Sequence, residues 1–134
     1  MKYIIAFITG IIFVTSASAA PEDFIGTFKG TDKTTVTNCA NYNGTTTNIW
    51  SVKYSDVKGT ALEGTGSNAY GDFTISITVT DLNATGTIKG VNKWHQYWIG
   101  ETKGSLDGDK YTATITGTVS TGCKFTSEIE ATRN

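Results

Sequence analysis

The segment "KWHQYWIGE", Lys93–Glu101, holds the side chains in this chain best suited to chemistry. It carries two of the three tryptophans, Trp94 and Trp98, together with Tyr97 and the only histidine, His95. An aromatic ring can cover the apolar face of a sugar or another flat ligand, while Asn92, His95 and Gln96 can bond its hydroxyls. Trp and Tyr are also the residues most enriched at binding hot spots. Trp94, His95, Gln96, Tyr97 and Trp98 are therefore the candidate ligand-binding residues. The bland alternative is barrel filling, with Trp94 and Trp98 in a core and His95 and Tyr97 as amphipathic surface residues.

Catalytic readings find less support. His95 has no nucleophile beside it in sequence, and one histidine does not make a triad. Asp107 and Asp109 sit two apart in "LDGDK", but turn chemistry explains that pattern, and the calcium-loop ligand spacing is missing. No glycine-rich phosphate loop leads into a helix. The sequence nominates no catalytic residue, no metal ligand and no cofactor, and the expected protein is not an enzyme.

Residues 1–19 read as a secretory leader: Lys2, an apolar run from Tyr3 to Val14, then Ala17-Ser18-Ala19 as a small-x-small cleavage signal. The run is too short for a membrane span, and no membrane insertion is expected after its removal. Residues 20–134 then form one all-β domain, secreted or periplasmic. The formal net charge of −1 becomes about −2 once Lys2 leaves with the leader, and no basic face stands out, which argues against nucleic acid. The two cysteines, Cys39 and Cys123, both lie in the mature part and are expected to pair in an oxidising compartment.

The elements that must position the aromatic segment show period-two alternation. In "FTISITVT", Phe73, Ile75, Ile77 and Val79 share one face and Thr74, Ser76, Thr78 and Thr80 the other. "YTATITGTV" separates Tyr111, Ala113, Ile115 and Val119 from Thr112, Thr114, Thr116 and Thr118 in the same way. This is the pattern of antiparallel strands with one buried and one wet face. Regular Thr rows can also order water for ice binding, but solvent-facing strand preference explains these. Further strands are expected at Phe24–Lys29, Asn48–Tyr54, Val57–Glu63, Asn83–Lys89, Lys93–Glu101, Thr102–Leu106 and Cys123–Thr132. Turn signals lie at "DVKG", "GTGSNAYGD", "DLNATG", "LDGDK" and "STGC", and Thr31–Thr47 is the one long connection. The expected fold is an antiparallel up-and-down meander of about eight strands closing as a small barrel, with a β-sandwich as the alternative. Three short blocks recur in order: "GTFKGTDK" as "GTIKGVNK", "KGTALEG" as "KGSLDG", and "GDFTISIT" as "GDKYTATIT". Either they are chance in a chain rich in Gly, Thr and Lys, or the barrel is two similar four-strand meanders.

"FIGTFKG", with Phe28 where a Trp would open the barrel, and Arg133 in the last strand make the chain ends resemble those of the calycin group, the lipocalin- and avidin-like small barrels. The resemblance covers about ten residues. It implies an up-and-down barrel with Arg133 turned inward against the opening aromatic, and it implies no particular ligand. The functional expectation is a non-enzymatic module that contacts a small molecule or glycan through the aromatic strand. The alternative is a protein-contact module: a secreted inhibitor, effector or surface structural subunit.

Overall fold

The computed structural model describes residues 20–40, 42–81 and 83–134; the leader expected at 1–19 lies outside them. Eight antiparallel strands follow one another around a closed barrel. They are β1 (Gly26–Thr37), β2 (Gly44–Lys58), β3 (Ala61–Asn68), β4 (Gly71–Thr80), β5 (Asn83–Val91), β6 (Tyr97–Asp107), β7 (Lys110–Val119) and β8 (Lys124–Arg133). β8 pairs back onto β1, from Phe28 opposite Arg133 to Thr37 opposite Lys124, so no sheet edge is left open. The sandwich alternative is thereby excluded.

Alternation fixes which side chains point inward. Phe73, Ile75, Ile77 and Val79 of β4 are buried and the residues between them exposed. Tyr111, Ala113 and Ile115 of β7 are buried as well. The interior of an eight-stranded barrel is just wide enough to be filled by side chains, and here several rings lie in the space that inward glycines leave open. Gly66 lies opposite Phe73 and Gly90 opposite Trp98. A Cβ on Gly66 would stand 2.4 Å from the Phe73 ring, and one on Gly90 would stand 2.8 Å from the Trp98 ring.

Those inward glycines correct one expectation. The turn expected over "GTGSNAYGD" is much shorter, because Gly64 and Gly66 lie inside β3, and Ala69-Tyr70 alone separates β3 from β4. A glycine that makes room for a ring has the same letter as a glycine that makes a turn. The expected long connection Thr31–Thr47 is also shorter. β1 runs to Thr37 and β2 starts at Gly44, because Thr34–Thr35 and Thr45–Thr46 pair across the two strands. Val57 belongs to β2, which a register shift between Tyr54 and Asp56 bends before the Gly59-Thr60 turn. Nor is the sequence echo a structural duplication: its first block relates β1 to β5, whereas its third relates β4 to β7, strands that run in opposite directions.

The two ends of the barrel differ. At the base, a 3₁₀ turn over Pro21–Phe24 replaces the expected start of the first strand. It inserts Phe24, fully buried, edge-on against Tyr54 and Tyr111, with ring centroids 6.3 and 6.1 Å apart. Arg133 closes this end. Its guanidinium lies 4.7 Å from the Phe28 ring centre, donates to the carbonyls of Ile25 and Asp23, and meets Asp109 at 3.0 Å. A planar, permanently charged fork suits several acceptors and a ring face at once, which lysine could not reproduce. At the opposite rim the Cys39–Cys123 disulfide ties the β1–β2 loop to the β7–β8 loop.

Candidate functional site

The aromatic segment divides between a loop and a strand. Expected as one strand over Lys93–Glu101, it instead forms a tight rim loop up to Gln96, and β6 begins at Tyr97. Asn92 causes the difference. Its side-chain Oδ1 accepts from the backbone N–H groups of Trp94 and Gln96, both at 3.0 Å, and its Nδ2 donates to Gln96 Oε1 at 2.9 Å. The Asn92 N–H also donates to the Gln96 carbonyl at 2.9 Å. An asparagine bonding its own neighbouring backbone mimics a turn and competes with strand pairing. His95 takes the left-handed φ of 65° that the loop requires.

This loop takes Trp94 and Gln96 out of the strand that carries Trp98. Gln96 is half-buried and occupied with Asn92. Trp98 turns inward, packing edge-on against Phe73 and Phe125 at 6.2 and 5.7 Å. Trp94 stays on the rim, 58 % exposed, with its ring 6.3 Å from Tyr70 and the Lys93 ammonium 4.9 Å above it. His95 is exposed beside it. Tyr97, on β6, points outward and is 71 % exposed.

Tyr97 borders a groove of about 1190 Å³ on the outer wall. The register shows how the groove is built. One row of outward residues crosses five strands: Thr65, Thr74, Lys89, Ile99 and Thr118. One step nearer the rim come Ser67 opposite Asp72 and Val91 opposite Tyr97, with Ser120 donating its N–H to the Tyr97 carbonyl at 2.8 Å. The groove is therefore an apolar strip of Val91, Tyr97 and Ile99 set among hydroxyls, with one carboxylate and one ammonium beside it. A second groove, about 690 Å³ and lined by Lys33, Lys103, Glu128, Glu130 and hydroxyl groups among others, carries no aromatic ring.

A polar cluster lies inside the barrel near the same rim. Asp32, only 2 % exposed, accepts hydrogen bonds from Thr34 at 3.0 Å and Asn48 at 3.3 Å. Thr34 meets Ser127 at 2.7 Å, and Asn48 continues through Thr46 to the Tyr70 hydroxyl. Burial pushes the Asp32 carboxyl above its ordinary range, against the lowering effect of the Thr34 and Asn48 donors. Among the described residues, no three His, Cys, Asp or Glu side chains converge as a metal ion would need.

Of the residues nominated from sequence, Trp94, His95 and Tyr97 lie on the surface, while Gln96 and Trp98 serve the loop and the interior. Sequence reading missed Tyr70, Val91 and Ile99. Tyr70 lies within the segment expected as a turn. Val91 and Ile99 become neighbours of Tyr97 only through strand pairing, although the shared parity of Ile99 and Tyr97 was visible. No known protein family, curated protein or solved structure matches this chain.

Proposed function

We propose that this chain is a secreted or periplasmic, non-enzymatic binding protein that takes a glycan or another small ligand with an apolar ring face on its outer wall. The observation that carries this reading is the outward Tyr97 ring, 71 % exposed, set between Val91 and Ile99 in a hydroxyl-bordered groove. An exposed ring costs the isolated protein burial it could have had, and exposed rings beside polar groups suit amphipathic ligands. Trp94 and Tyr70 extend the ring surface at the rim. Secretion is supported by the leader-like residues 1–19 and by the Cys39–Cys123 disulfide, which persists in oxidising compartments. Relation to the calycin barrels is supported by the eight-strand closure and by Arg133 over Phe28.

The test is binding by the mature, disulfide-bonded protein to a panel of immobilised glycans, compared with Tyr97→Ala and Trp94→Ala. Loss of binding in Tyr97→Ala, with an unchanged melting temperature, supports the reading. Glycan binding equal to wild type in both variants would place the site elsewhere. The rival reading, a protein contact, draws on the apolar Val91 and Ile99 flanking Tyr97, and predicts no glycan binding at all.

A further inference from the structure

We infer that the ligand of the outer groove is an extended, electrically neutral oligosaccharide of about four pyranose units, lying across the strands rather than along one. The inference rests on the binding function proposed above and specifies the class of ligand.

Length comes first. The groove crosses β3, β4, β5, β6 and β7. Adjacent strands lie about 4.8 Å apart, so it spans roughly 19 Å. A pyranose in an extended glycan advances the chain by roughly one strand spacing. A monosaccharide on Tyr97 would leave the β3–β4 half of the groove empty.

Surface chemistry comes second. Val91 and Ile99 flank Tyr97 at the β5–β6 pair, enough apolar surface for the C–H faces of adjoining sugars. Away from them, Ser67, Thr65 and Thr74 on β3 and β4 offer hydroxyls. One outward ring with apolar neighbours on β5 and β6, and hydrogen-bonding groups along the rest, match a polymer of repeating amphipathic units better than a uniformly apolar ligand.

Charge comes third. The lining holds one carboxylate, Asp72, and one ammonium, Lys89, on neighbouring strands. They balance, so a polyanionic or polycationic glycan gains nothing from the wall. The groove also stays on the outside of the barrel, because Phe73 and Trp98 pack the inner side of the same wall.

The experiment uses the mature, disulfide-bonded protein. Titration calorimetry is run with neutral cello-, chito- and malto-oligosaccharides from one to about six units, and with a heparin fragment as the polyanionic probe. For at least one neutral series, affinity is expected to rise at least tenfold between two and four units and to level off beyond. It should stay nearly constant between about 50 and 500 mM salt, where a charge-driven contact would be screened. Ser67→Trp, at the β3 end, should weaken the four-unit probe while leaving the two-unit probe unchanged; Tyr97→Ala should weaken both. Binding without a chain-length step, or tighter binding of heparin that collapses with salt, overturns this inference and leaves the broader binding function standing. No binding by any saccharide overturns this inference together with the glycan form of the proposed function.

Discussion

Truncating Trp98 and Trp94 separately should split two residues that look equivalent in sequence. Trp98 is partly buried and packs edge-on against Phe73 and Phe125. Trp98→Ala would remove both ring contacts, each worth roughly 0.5 to 1.5 kcal/mol beyond burial, and would uncover Gly90 behind it. Loss of a fully buried large aromatic costs about 3 to 5 kcal/mol. Trp98 keeps part of its ring near solvent, so the low end, about 3 kcal/mol, is the expected loss. For a domain of about 115 residues the unfolding entropy is roughly 0.24 kcal/mol per kelvin, so the melting temperature should drop by about 12 °C. Trp94 sits on the rim, mostly exposed, beside Tyr70 and Lys93, and Trp94→Ala should stay within about 0.5 kcal/mol. Urea unfolding and thermal melts, with the disulfide intact, measure both. Equal and large losses would mean that Trp94 is packed as core; a negligible loss for Trp98 would refute the ring-filled interior.

Three further outcomes follow from the same barrel. Replacing Cys39 and Cys123 together by Ala removes a link between residues 84 apart, and chain entropy sets the loss at about 4 to 5 kcal/mol; a denaturation midpoint unchanged from wild type would show that the link does not constrain the unfolded chain. Gly90→Ala would place a methyl 2.7 Å from the Asp72 carbonyl and 2.8 Å from the Trp98 ring; such overpacking should cost about 1 to 3 kcal/mol, and wild-type stability in urea would contradict it. The Asp32 carboxyl, raised by burial from its ordinary 3.8, binds its proton more tightly in the folded barrel than in the unfolded chain. Its contribution to stability therefore falls as pH rises from that ordinary value through the folded one. Asp32→Asn should be more stable than wild type at neutral pH, with its advantage vanishing in acid; a substitution that destabilises the barrel at neutral pH would mean that the Thr34 and Asn48 hydrogen bonds outweigh the burial cost.

Much of the fold was legible in the chain because a closed barrel imposes one rule on every strand. Side chains alternate between a filled interior and water, and "FTISITVT" and "YTATITGTV" display that rule without help from distant residues. The turn at "LDGDK" was legible for an equally local reason, since Gly108 takes the positive φ that a tight hairpin needs. The even cysteine count and the leader-like start pointed to the Cys39–Cys123 bond. What sequence could not assign was the meaning of residues whose role depends on a neighbouring strand. Gly64 and Gly66 look like turn residues until Tyr54 and Phe73 are seen to lie against them. Trp94 and Trp98 share strand parity until the side chain of Asn92 folds the rim loop and sends one ring out and the other in. Val91, Tyr97 and Ile99 become one surface only because β5 and β6 pair in a particular register. Local alternation is set by backbone geometry within a few residues; a groove, a packed ring and a buried carboxylate are set by contacts between strands, which the order of residues along one strand does not contain.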